Sequence, residues 1–167
     1  MKRKDLLWVL AYPVYQIIGT FRHEGSHALA AMAEGAKVTE FVFWPSFHNG
    51  SFYWGYVSWS GPTTWFTTAA PYFCDLLTFL VALLIILEVK PRRRWLWFNI
   101  LVIGMVSSLV NSVYKYSGAL AGSSNDIGEL LYELNPAAVH LYFVITLLFY
   151  AWGIYHCYFR KKTWHPE

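Results

Sequence analysis

Charge is scarce in this sequence. Asp, Glu, Lys and Arg make up 14% of its 167 residues, against about a quarter in a typical soluble domain. So little charge cannot cover a water-facing surface of this size, which argues against a soluble domain. The 13 Lys and Arg outnumber the 10 Asp and Glu, giving a net charge of +3, yet they form no extended basic face of the kind that binds nucleic acid. They gather in Lys2-Arg3-Lys4, Lys90-Pro91-Arg92-Arg93-Arg94 and Arg160-Lys161-Lys162, each beside an apolar stretch, where basic residues set membrane topology. Only two cysteines occur, Cys74 and Cys157, far apart in apolar runs, so a disulfide framework is excluded and both are expected as buried thiols. No internal repeat, low-complexity tract or long linker divides the chain, and residues 1–167 are expected to form a single membrane-embedded domain.

Hydrophobic residues, by contrast, make up 56% of the chain and aromatic ones 20%, with a positive mean hydropathy. Divided into spans of about 20 residues, the sequence predicts an all-α integral membrane protein with about four transmembrane helices and a β-hairpin inserted after the first. The first helix begins near Leu6 and runs to about Glu34, where Gly35 offers a stop; Pro13 is placed to bend it. Its basic start and apolar run lack a small-residue cleavage site, so it is expected to remain as an anchor. Residues 37–60 change character: KVTEFVFW and SFYWGYVSW are β-branched and aromatic, separated by a turn over Pro45–Gly50. Trp44, Tyr53, Trp54, Tyr56 and Trp59 suit the headgroup level. A second span covers about Ala69–Val89 and a third Trp95–Ser117. A Gly- and Ser-rich stretch then precedes a short helix near Ile127, and a fourth span covers Ala138–Tyr158. Four spans with both termini cytoplasmic put all three basic clusters on one face and gather His23, the hairpin, Asp75 and Asp126 at the other.

The motif that carries chemistry is His23-Glu24-Gly25-Ser26-His27. Counted from Leu6, His23 lies roughly 26 Å along a helix that crosses a core about 30 Å thick, near the side opposite the N-terminus. Histidines four residues apart share a helix face, because four steps of about 100° overshoot one turn by only about 40°. Two imidazoles can therefore occupy adjacent corners of a zinc tetrahedron, with Glu24 one step round as general base for a metal-activated water. A plainer reading makes them interfacial polar groups on a helix that has already left the bilayer, but Arg22, His23, Glu24 and His27 crowd one turn of an apolar helix, where ionisable groups are costly unless paired or functional. A third ligand must come from elsewhere. Asp126 lies on the same predicted side as His23, although the segment Ser123-x-x-Asp126, or Asn125, can equally cap the short helix. Glu129 and Asp75 are the other candidates, Asp75 also serving as a first-turn dipole partner. His48, His140 and His156 read as bystanders, Asn111 as a hydrogen-bonding partner of a ligand, a substrate or another helix, and Lys115 and Tyr116 as residues that snorkel toward water.

HEGSHALAAMAEG followed by KVTEFVF resembles the site-2 protease family of intramembrane zinc metallopeptidases. The likeness covers residues 23–61, extends through Ala69-Ala70-Pro71 and resumes at Asn125-Asp126. It implies an aspartate third ligand from an NPxPxxxxDG-type segment, a place taken here by Asn111–Asp126, without that motif's prolines and with isoleucine after the aspartate. It also implies Zn2+ held by His23, His27 and Asp126, Glu24 as catalytic base, and hydrolysis of peptide bonds in membrane-protein or peptide substrates within the lipid bilayer, with the hairpin edge receiving an unwound substrate strand. Two rival readings are a non-catalytic membrane scaffold or partner-binding protein that retains a metal site, and a hydrolase of lipids or other amides. A structural metal site has no need of a base, and Glu24 favours catalysis over the first.

Overall fold

The computed structural model describes residues 12–48, 50–89, 91 and 93–160. Helix α1, Tyr12–Ala33, occupies the later part of the expected first span; the expected start near Leu6 lies outside the described residues, as does the basic cluster Lys2-Arg3-Lys4. α1 ends as its sequence requires. Gly35 adopts φ 89°, and the Gly35 and Ala36 N–H groups return to the carbonyls of Met32 (3.1 Å) and Ala31 (2.9 Å), the paired closure that a left-handed residue permits.

The hairpin is realised as two short antiparallel pairs in series. β1 (Lys37–Val42) pairs with β4 (Tyr56–Ser60), and β2 (Ser46–His48) pairs with β3 (Ser51–Tyr53). A register shift between Val38 and Glu40 marks a bulge. Gly55 sits where the two pairs join: a Cβ there would lie 2.4 Å from Thr20 Cγ2 and 2.6 Å from the Val42 carbonyl oxygen, so only glycine lets the ribbon fold this close to α1.

Among the described residues, three helices are long and apolar enough to cross a membrane: Trp65–Val89, Arg94–Leu120 and Pro136–Phe159. The first is α2 (Trp65–Leu84), capped by Thr64 and extended by a π-helical turn over Ile85–Val89. α3 denotes Arg94–Leu120 as a whole, with a π-helical stretch at Leu101–Val106. The short α4 (Asp126–Glu133) follows a turn, and α5 (Pro136–Tyr155) opens with proline in its first turn and Asn135 as cap. The membrane helices thus begin a few residues earlier than the apolar runs suggest, because Thr64 and Asn135 cap them from outside. Among the described residues α1 does not join these three, since Arg22, His23, Glu24 and His27 dilute its apolar run.

Among the described residues, packing falls into two clusters. One joins α2, α3 and α5 around Phe79, Ile86, Met105 and Tyr150. It depends on close backbone approach: a Cβ on Gly104 would stand 2.3 Å from that of Ala82, and one on Gly153 would stand 2.7 Å from the Phe79 ring. The other gathers Ala69, Tyr72, Ile127, Leu130, Val139 and Phe143, and it seats α4 against α2 and α5. Cys74 is half-buried and Cys157 buried, both as thiols.

Candidate metal centre

The seating of α4 decides what Asp126 does. Asn125, not Asp126, caps the helix: its side-chain oxygen accepts from the Ile127 and Gly128 N–H groups, each at 3.1 Å, while its amide nitrogen donates to the Lys115 carbonyl at 2.9 Å. The Asp126 carboxylate is thereby left to face α1. His23 Nε2 lies 3.1 Å from Asp126 Oδ2, and His27 Nε2 lies 3.8 Å from the same oxygen. The three residues offer ligand atoms that all fall within 4.8 Å of one another. Around an ion with bonds of about 2.0–2.2 Å, tetrahedral ligand atoms stand roughly 3.3–3.6 Å apart, so these separations bracket a zinc site, and two imidazoles with one carboxylate are a donor set that zinc accepts.

Neighbouring groups hold the imidazoles. His27 Nδ1–H donates to the Thr67 carbonyl at 2.8 Å, which leaves the Nε2 lone pair facing the site. The carbonyl is held in turn at the start of α2, where Glu34, just beyond α1, accepts from the Thr64 N–H (2.9 Å), the Thr64 hydroxyl and the Thr67 hydroxyl (2.7 Å). At His23, Asn111 contributes an amide 3.3 Å from Nδ1 and donates to Asp75 Oδ2 at 2.8 Å. Trp59 of β4 lies over His27 with ring centroids 6.1 Å apart, so the strand pair stands beside the histidines.

Asp75 and Glu129, the other two candidate ligands, lie elsewhere. Asp75, 1% exposed, is paired with Arg22 at 2.6 Å. Arg22 also donates to the Ile103 carbonyl at 3.1 Å. That carbonyl lies in the π-helical stretch of α3, where the Ser107 N–H reaches back five residues to Val102 and the ladder is out of step. Glu129 is exposed on α4, and partial desolvation of its carboxyl, with Asp126 and Glu133 nearby, raises its pKa. His48, His140 and His156 also stand outside the cluster; His140 accepts from or donates to the Tyr116 hydroxyl at 2.9 Å.

Two groups near Asp126 escaped the sequence reading. The Tyr72 hydroxyl donates to Asp126 Oδ2 at 3.1 Å, and the Lys115 ammonium reaches it at 3.0 Å, turning into the site instead of snorkelling outward. The one signal for Lys115 was a lysine near the end of an apolar helix, and that pattern has a commoner explanation. Burial works against the charge on Asp126, but the neighbouring His23 and His27 imidazoles and the Lys115 charge outweigh it and hold the carboxyl well below the ordinary carboxylate range. Glu24 is half-buried. Among the described residues it has no hydrogen bond or ion pair, while its charge acts on His27 and Tyr72.

The chain matches the family model described as Peptidase M50B-like over residues 6–151. No curated protein and no solved structure matches it.

Proposed function

The chain belongs to the Peptidase M50B-like family, a family of the site-2 protease kind, and on that premise we propose that it is a zinc-dependent membrane metallopeptidase with Glu24 as its base and His23, His27 and Asp126 as its metal ligands. The observation that carries the reading is the convergence of those three ligand atoms within 4.8 Å beside a carboxylate, Glu24, that takes part in no structural bond among the described residues. A scaffold that kept a metal for folding would have no use for such a carboxylate.

A zinc ion held there would act as Lewis acid toward the scissile carbonyl and bring a water's pKa near neutrality. Glu24 accepts that water's proton and delivers it to the amine as the C–N bond breaks. Thr67 and Asn111 keep the two rings oriented, and Trp59 and Tyr72 shield them from bulk water. A helical substrate hides its carbonyls in its own hydrogen bonds and must be locally extended before it can be cut. The β1/β4 pair beside His27 offers a strand edge for that purpose. The basic clusters support a topology of four spans with both termini cytoplasmic, α1 belonging to the first.

The test exchanges the base for its amide. Glu24→Gln keeps the side chain's size but cannot take up the proton, so turnover of a membrane-protein substrate falls by about two orders of magnitude or more while zinc content stays level. An unchanged rate removes Glu24 as base. Equal zinc content in wild type and a His23→Ala/His27→Ala double variant removes the metal site itself.

A further inference from the structure

We propose that Lys115 is a catalytic residue: its ammonium donates to the carbonyl oxygen of the scissile peptide as negative charge builds there. The inference rests on the metallopeptidase reading above and adds a role that the motif does not supply.

Four groups converge on one oxygen of Asp126: His23 Nε2 at 3.1 Å, the more distant His27 Nε2 at 3.8 Å, and two donors, Lys115 Nζ at 3.0 Å and the Tyr72 hydroxyl at 3.1 Å. A carboxylate oxygen has about two lone-pair directions to offer. When the imidazoles and Asp126 turn their lone pairs to a cation, they cease to serve these donors, and Lys115 and Tyr72 remain as hydrogen-bond donors at its edge. Exposure distinguishes the two sides of the site. The His23 and His27 side chains are 6% and 7% exposed, whereas Asp126 and Lys115 are 22% and 25% exposed. The open side, from which a peptide must enter, is therefore bordered by Lys115.

The position of Lys115 is also fixed. Asn125 holds the Lys115 carbonyl with its amide nitrogen and caps α4 with its oxygen, so one side chain ties α3 to the helix that begins with Asp126. The Lys115 charge is thus held beside the candidate ligand, close to where a carbonyl oxygen must lie. In the addition step, water oxygen bonds to the carbonyl carbon, the π pair moves to the carbonyl oxygen, and Glu24 takes the water's proton. Lys115 keeps its proton and donates a hydrogen bond to the new oxyanion. When the C–N bond breaks, the pair returns and the amine takes the proton from Glu24.

The experiment measures binding to zinc-loaded Glu24→Gln protein, which does not cut its ligands. The probes are a peptide of apolar residues with a central phosphinic group, carrying an anionic oxygen on a tetrahedral centre, and the matched amide peptide. Lys115 is expected to make the phosphinic peptide bind tighter than the amide, and Lys115→Met to reduce that preference by about 100-fold, as removal of an oxyanion donor does. Lys115→Gln, which keeps a neutral donor, is expected to lose about 10-fold and serves if the methionine variant folds poorly. Zinc affinity by chelator competition should not fall in either variant, because an ammonium beside a dication repels it. An undiminished preference, or a fall in zinc affinity that marks Lys115 as a prop for Asp126, overturns the proposal and leaves the peptidase reading intact. A zinc-loaded protein with Lys115 in place that binds the two probes equally overturns both.

Discussion

Around Phe79, Ile86 and Met105 the helices meet through carbon, each side chain fully buried, whereas one turn along α2, at Asp75, the same helices meet through charge. There Arg22, Asp75 and Asn111 link α1, α2 and α3 by directional bonds of 2.6–2.9 Å, and the chain of contacts continues through His23 to Asp126. Apolar packing is tolerant of chemistry and intolerant of volume. A buried ionic layer is the reverse: it accepts small shifts in shape but not the loss of a partner. The candidate ligand histidines sit on the ionic layer, which orients side chains, while the carbon layer beneath keeps the helices at a fixed distance.

The largest effect is expected where the ionic layer is broken on one side only. Arg22→Met leaves Asp75, 1% exposed, with its charge buried and its main partner gone, a change that costs about 3–5 kcal/mol. The double variant Arg22→Met/Asp75→Leu removes both charges and should recover most of that loss. Thermal unfolding in detergent measures both. If the single and double variants lose the same stability, the layer is held by packing and the contrast between the two regions disappears.

In the carbon layer the corresponding test is volume. Gly104→Val places its Cβ where Ala82 already stands, 2.3 Å away, and about 1–3 kcal/mol of overpacking is expected. The smaller step Gly104→Ala should be relieved by Ala82→Gly, which returns the lost space. An unrelieved Gly104→Ala would point to the helix backbone, not the contact, as the source of the cost.

The two layers differed in how far they could be read in advance. Apolar runs and basic clusters located the three long helices to within a few residues, and β-branched and aromatic density located the strands, because both patterns are local and repeat along the chain. The break of the hairpin into two pairs was not legible: it depends on Gly55 meeting Thr20 across the fold. In the same way, the shared face of His23 and His27 was legible from helical spacing, and the nearness of Asp126 to them from side and resemblance. The division of labour between Asn125 as cap and Asp126 facing the histidines needed the packed α4. Arg22 was read as a polar neighbour of the motif, and its partner Asp75 as a candidate ligand, since a pairing across 53 residues leaves no periodic trace. Lys115 was misread for a related reason, as the common outward lysine.

A third joint, outside both layers, should give the smallest effect and sharpens the comparison. Glu34 ties the end of α1 to the start of α2 through Thr64 and Thr67, with bonds as directional as those of the ionic layer, those to Thr64 open to solvent. Exposed polar contacts of this kind contribute little, so Glu34→Gln should lower the unfolding temperature by no more than a few degrees. Its pH dependence has a definite sign. The hydroxyl and N–H of Thr64, with the Thr67 hydroxyl, hold the Glu34 carboxyl below its ordinary value of 4.5, so the folded chain keeps it charged where the unfolded chain would protonate it. The stabilisation is present above the unfolded value and fades as pH falls through the lower folded one. Unfolding curves of wild type and Glu34→Gln should therefore differ by a constant amount near neutrality and converge under acid, below about pH 4. A gap that widens on acidification would mean that protonated Glu34 makes the joint, and a gap as large as that of Arg22→Met would mean that solvent exposure does not separate this joint from the buried ionic layer.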